Sequence, residues 1–290
     1  MRIGLSTRTA RAAIVAVVMA ATPMAAFADG TGTYYDRTFV LAAHEKCDLF
    51  RAPVAGALSA AALQSRGAAL RAGTTEATLQ TTASRAQARA RTVSCANPEL
   101  AVVRDRVADA FAGWQRIPRM DFNGDHATWT ADRVRREAAT WRLVQTSVTG
   151  ASPVRFGLDA SAEGRETLSA VVSFVGRPRP YAARIVMRDP ALAARPWMTA
   201  SGRAALPPES AREEVWSAGT APAAATLLAM GKTQGETWTF PAYGGDRLAR
   251  LDPREPFLIE FLFRDGSVAT ATFEAGDFAA ARAFVALGTV

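Results

Sequence analysis

The hydrophobic rhythm of the chain changes once, near Ala139, and no other feature bounds the fold as tightly. Ahead of that point apolar residues recur every three or four positions; beyond it they recur every second position. Phe39, Ala43, Cys47 and Phe50 trace one stripe of a helix from about Tyr35 to Phe50. Pro53 suits the first turn of a continuing helix, which runs through Val54, Leu58 and Ala61 to about Ala72. Gly73-Thr74-Thr75 stops that helix and starts a third, Glu76 to Thr92. Asn97-Pro98-Glu99 combines a cap, a proline at the first helical position and an acid at the positive helix end. Leu100, Val103, Val107, Phe111 and Trp114 then follow at helical spacing.

The second half reads as strands. Trp141 to Gln145 alternates, Val154 to Leu158 and Leu168 to Val175 are extended apolar runs, and Arg184 to Met187 precedes an Asp189-Pro190 break. Arg195 to Pro208 reads as irregular chain anchored by Trp197, Ser210 to Ser217 as a short helix, and Trp238 to Phe240 as a strand. Phe257, Ile259, Phe261 and Phe263 share one face, Asp265-Gly266 supplies a turn, and Val268 to Phe273 returns. Asp277 caps a last helix, Phe278 to Leu287. These patterns predict an α+β fold. A helical domain over 29–138 precedes an antiparallel β-rich domain with short helices over 139–290, the two meeting near residues 118–140.

Residues 1–28 read as a secretory signal. Arg2, Arg8 and Arg11 form a basic start, Ala12 to Ala21 is a short apolar run, and Ala26-Phe27-Ala28 predicts cleavage between Ala28 and Asp29. Removing the three arginines takes the formal charge from +7 to +4. The mature chain is expected in a periplasm or outside the cell, without a transmembrane anchor. Its most apolar later stretch, Phe257 to Phe263, is short and contains Glu260. Export also disfavours nucleic acid as a partner. Cys47 and Cys95 lie on either side of the fold-back at Gly73 and form no C-x-x-C motif, so an oxidising compartment predicts a structural disulfide.

Chemistry is thinly marked. Asp121, Asn123, Asp125 and Asp132 fall at positions one, three, five and twelve of a calcium loop with a helix expected on each side. His126 stands where such a loop needs glycine, and Asp132 replaces the bidentate glutamate. The only histidines are His44 and His126. His44 and Asp48 lie one helical turn apart and could both reach a zinc ion, with Glu45 nearby, yet no third ligand of the usual three or four is identifiable. No G-x-S-x-G, S-x-x-K, H-E-x-x-H or glycine-rich phosphate loop is present. Paired carboxylates, Glu213-Glu214 or Asp121 with Asp125, are the remaining catalytic resource, of the kind glycoside hydrolases use. Arginine outnumbers lysine heavily, with candidate basic faces at Arg85, Arg89, Arg91, Arg104 and Arg106, and at Arg133, Arg135 and Arg136. The expectation is a non-catalytic binding module for another envelope protein or an anionic cell-surface polymer, with no cofactor unless calcium. The alternatives are an envelope hydrolase acting on glycans through paired carboxylates, and a calcium-dependent binding module.

Overall fold

Four helices come first in a computed structural model that describes residues 30–161, 163–176 and 178–290; the expected leader and its Ala28–Asp29 cleavage site lie outside these. Helix α1 (Gly30–Cys47) ends where Asp48 takes a positive φ of 49°. Helix α2 (Ala52–Arg71) starts with Pro53 in its first turn. The Thr75 hydroxyl accepts from the Thr78 amide at 3.2 Å to start α3 (Glu76–Thr92), and Asn97 Oδ1 accepts from the Glu99 amide at 2.9 Å to start α4 (Pro98–Trp114). A Cys47–Cys95 disulfide, with Cα atoms 5.5 Å apart, links the end of α1 to the turn after α3. Lys46 reinforces it by donating to the carbonyls of Arg91 and Val93 at 2.8 and 2.7 Å.

The strands are β1 (Arg119–Asn123), β2 (Thr128–Asp132), β3 (Thr140–Thr149), β4 (Ser152–Ala160), β5 (Glu166–Val172), β6 (Ala182–Arg188), β7 (Trp197–Met198), β8 (Ala204–Ala205), β9 (Arg212–Trp216), β10 (Gly219–Pro222), β11 (Glu236–Phe240), β12 (Pro256–Leu262) and β13 (Val268–Glu274). Helix α5 (Ala242–Leu248) precedes β12, and α6 (Phe278–Val285) follows β13. A seven-stranded sheet runs β1-β2-β3-β4-β5-β11-β10, a four-stranded sheet runs β13-β12-β6-β9, and β7 pairs only with β8. Every pairing is antiparallel.

The two larger sheets stack through their apolar faces. Phe156 of the large sheet meets Phe257 and Phe273 of the small one at ring separations of 5.4 and 5.6 Å, and Trp238 meets Phe261 at 6.3 Å. Burial of each such ring stabilises the fold by about 2–3 kcal/mol. Strict alternation along β12 and β13 follows, with Phe257, Ile259, Phe261, Ala269, Ala271 and Phe273 buried. Helix α6 closes one end, Phe278 against Trp129 and Phe284 against Phe122.

Helix α2 packs on α6. Gly67 leaves room for the Asp277 side chain, since a Cβ there would stand 1.9 Å from Asp277 Oδ1. Asp277 sits at the N-cap of α6 as the sequence predicts, but its carboxylate makes no capping bond. It accepts instead from both Nη atoms of Arg71, at 2.6 and 2.8 Å, tying the helices to the sandwich.

Three local expectations change. Ser210 to Ser217 is not a short helix: after one turn at Glu209–Ala211, Arg212 to Trp216 is strand β9. The helix preference of two glutamates is overridden by pairing with β6, which buries Val215. Trp197 is no anchor, being 49% exposed on the short β7 ribbon. Residues 121–132 are a β-hairpin instead of a loop between helices, so strand structure begins at Arg119.

Candidate functional site

The outer face of the seven-stranded sheet carries the site, and a β-bulge makes it. Plain alternation would put Trp141 and Leu143 on one face. The β3–β4 register shifts between these two residues, leaving Arg142 as the extra one. Leu143 therefore enters the core, while Trp141 joins Val144, Val171, Leu227 and Leu228 in a small apolar cluster outside it. Gly157 permits the bulge, because any Cβ there would lie 2.0 Å from the Leu143 carbonyl oxygen. The Trp141 indole N–H donates to the Leu227 carbonyl at 3.0 Å, which brings the 223–228 segment over the strands.

One pocket opens beside that cluster and a second lies near the start of β3. The first, about 420 Å³, is lined by Arg119, Thr130, Asp132, Arg136, Trp141 and Arg155, among others. The second, about 430 Å³, is lined by Arg135, Arg136, Arg142, Ser161, Glu163 and Glu166, among others. Arg136 and Thr140 line both and stand between them, and each pocket is of a size usual for small-ligand sites. The first is lined by Arg119, Arg136 and Arg155 against Asp132, the second by Arg135, Arg136 and Arg142 against Glu163 and Glu166.

The arginines differ in how they are compensated. Asp132 Oδ2 accepts from Arg119 at 2.9 Å and Arg136 at 3.1 Å, and its Oδ1 accepts from the Val134 amide at 2.8 Å. Burial opposes ionisation of Asp132, but these donors outweigh it and hold its carboxyl below the usual range. Arg142 is buried, donates to the Val134 carbonyl and lies 3.6 Å from Glu166. Arg155 stands apart. Its guanidinium lies 5.3 Å over the Trp141 ring, and Nη1 donates to the carbonyls of Leu227 and Leu228 at 3.1 and 3.0 Å. Among the described residues no carboxylate pairs with it, and burial alone pulls its pKa below the ordinary arginine value. Nε and Nη2 have no protein acceptor there, so a half-buried cation with free donors lines the first pocket.

The residues marked by sequence are distributed otherwise. Along the 119–132 hairpin Asp121 lies opposite Thr130, whose hydroxyl donates to it at 2.9 Å, and Asn123 lies opposite Thr128. Asp125 is in the turn, where the amides of His126 and Ala127 donate to the Glu274 carboxylate. Asp132 is four strand residues past Thr128, about 13 Å along the ribbon. The hairpin thus does not gather these four oxygens. Among the described residues no three or more histidines, cysteines or carboxylates are placed to share a metal ion. His44 Nδ1 accepts from the Phe50 amide at 3.1 Å, turning that nitrogen inward. Glu213 and Glu214, adjacent on β9, point to opposite faces, Glu213 toward Arg247 at 3.3 Å and Glu214 toward Arg184 at 2.7 Å.

Arg133, grouped by sequence with Arg135 and Arg136, is buried. It donates to the carbonyls of Trp114, Ile117, Leu287 and Gly288, clamping the ends of α4 and of the chain. Arg135 and Arg136 do line the pockets. Arg85, Arg89, Arg91, Arg104 and Arg106 are exposed on α3 and α4, away from both pockets' linings. Sequence reading missed Arg119, Arg142 and Arg155. The available signal was an arginine inside a strand whose neighbours are core residues, as at Val154-Arg155-Phe156, since such a residue must face outward. No protein-family model, curated protein or solved structure matches the chain.

Proposed function

We propose that the protein is an exported, non-catalytic binding module that takes an anionic ligand of the cell envelope in the pocket lined by Arg119, Trp141 and Arg155. The observation that carries this is Arg155: a partly desolvated guanidinium, two backbone carbonyls as its only described acceptors, lining a pocket. Leaving such a charge uncompensated is costly, and an anion relieves it. The internal disulfide suits an oxidising compartment, and no described helix is long and apolar enough to cross a membrane. Two of the three lining carboxylates are engaged by arginines, Asp132 by Arg119 and Arg136 and Glu166 by Arg142, which favours binding over turnover.

The test is equilibrium titration with a generic polyanion such as sulfated dextran. Binding is expected to saturate, to weaken with salt, and to leave the polymer's chain length unchanged. Arg155→Leu should weaken it at least tenfold, the scale of a lost charge-assisted hydrogen bond. Unchanged affinity in that variant, with loss in Arg85→Ala/Arg89→Ala, would move the site to α3 and refute the proposal.

A further inference from the structure

One excursion of the chain stands away from the sandwich. Between β6 and β9 the chain leaves the small sheet after Arg188 and rejoins it at Arg212, and on the way β7 and β8 pair only with each other. Adjacent strand residues face opposite ways, yet Trp197 is 49% exposed and Met198 42%. Neither face of the ribbon is therefore laid on the body, and Leu192 on its approach is 66% exposed. A two-stranded ribbon is marginal by itself, but this one is held at both ends. At the tip the Thr199 amide donates to the Arg203 carbonyl at 2.8 Å, and the Arg203 amide donates back to the Thr199 hydroxyl at 3.1 Å. At the base the Asp189 amide donates to the Ala211 carbonyl at 3.0 Å and Arg212 Nε to the Pro207 carbonyl at 2.7 Å. Arg188, buried by its pair with Glu255, also donates to the Ala193 carbonyl at 2.5 Å. Three large apolar side chains are thus presented to solvent on an ordered mount.

Charge indicates what they meet. From Pro190 to Pro208 the only charged residues are Arg195 and Arg203, both exposed, and the nearest acids in sequence, Asp189 and Glu209, flank the base. An apolar, positive tip without acids is complementary to a surface that is negative on top and apolar beneath, which describes an anionic bilayer. Indole rings settle at headgroup depth, and arginine stems lie along acyl chains while the guanidinium stays with the phosphates. We propose that the 190–208 excursion is a membrane-contacting prong. Leu192, Trp197 and Met198 enter the headgroup region of an anionic bilayer, and Arg195 and Arg203 engage lipid phosphates. The prong is separate from the Arg155 pocket, none of whose lining residues belongs to it. Its order before contact lowers the entropy lost on binding.

Cosedimentation with vesicles tests this on the chain from Asp29 onward, with phosphatidylglycerol and phosphatidylcholine in equal parts or phosphatidylcholine alone. The protein should bind the anionic vesicles and bind the neutral ones about tenfold more weakly. Leu192→Ser/Trp197→Ser/Met198→Ser should lower anionic-vesicle binding by about tenfold or more while leaving the denaturant midpoint nearly unchanged, since these side chains lie outside the core. Arg195→Gln/Arg203→Gln should remove most of the preference for anionic lipid. Tryptophan emission should shift to the blue on binding, and less so in Trp197→Phe, which still sediments. Arg155→Leu should bind vesicles as the unsubstituted protein does. Binding to neither vesicle, binding that survives the triple substitution, or binding lost in Arg155→Leu overturns the proposal. A concentration-dependent dimer abolished by the triple substitution, in a protein that ignores vesicles, also overturns it and makes a second copy the occupant.

Discussion

At the scale of single residues the site depends on one missing Cβ. Gly157 faces the Leu143 carbonyl across β3–β4, where a methyl group would be 2.0 Å from the oxygen and 2.8 Å from the carbon. Backbone cannot give way there as a flexible side chain can. Gly157→Ala is therefore expected to cost about 2–3 kcal/mol in denaturant unfolding and to weaken polyanion binding, because the bulge sets Trp141 under Arg155. Gly150 is the control: its φ is 57°, but a methyl group there would meet nothing within 4 Å, so Gly150→Ala should cost only about 1 kcal/mol and spare binding. Equal losses at the two positions would mean that backbone conformation, and not the close approach, governs Gly157. Neither the bulge nor its glycine was legible in the sequence, where Trp141 to Gln145 reads as unbroken alternation. A single inserted residue leaves the composition of a strand untouched while changing which face each side chain takes.

At the scale of elements, most of the layout was legible because the strong signals are local. Asn97-Pro98-Glu99 starts α4, and the phenylalanines of β12 alternate into the core, both as their spacing predicts. Elements set by distant pairing were not. The 119–132 hairpin and β9 owe their form to β3 and β6, and nothing within either segment announces those partners. The disulfide belongs to the legible part, and its effect is separable from the pockets, since no residue lining either pocket lies on α1 to α4. Opening the 48-residue separation it spans should lower stability by about 4 kcal/mol in the chain-entropy model. Cys47→Ser/Cys95→Ser is thus expected to shift the denaturant midpoint strongly while leaving polyanion affinity unchanged where the protein is folded. Loss of affinity in the folded variant would show that the helices shape the Arg155 pocket.

At the scale of the whole molecule, burial and ion pairing set opposite pH dependences. Burial is the largest influence on Asp159 and Glu213 and raises both carboxyls above their ordinary values. Such groups take up a proton more readily folded than unfolded, so stability grows as pH falls through their raised values and is complete below the ordinary one, about 4. Asp132 and Asp252 are held low, burial being outweighed by hydrogen bonds from arginines and backbone amides. Their contribution is lost as pH falls through those lowered values. The thermal midpoint should therefore rise from neutrality toward the ordinary carboxylate range and drop below it, and Asp159→Asn/Glu213→Gln should flatten the rise. A midpoint that only falls from neutrality would contradict this balance. The central claim, that the Arg155 pocket is where an anion binds, is tested most directly by nuclear magnetic resonance of the side-chain N–H groups during titration with sulfated dextran. Saturable shifts of Arg155 Nε–H and Trp141 Nε1–H, with backbone changes confined to residues 119–166 and 223–228, are predicted. Shifts centred on Arg85, Arg89 and Arg91, with Arg155 and Trp141 unmoved, would contradict it.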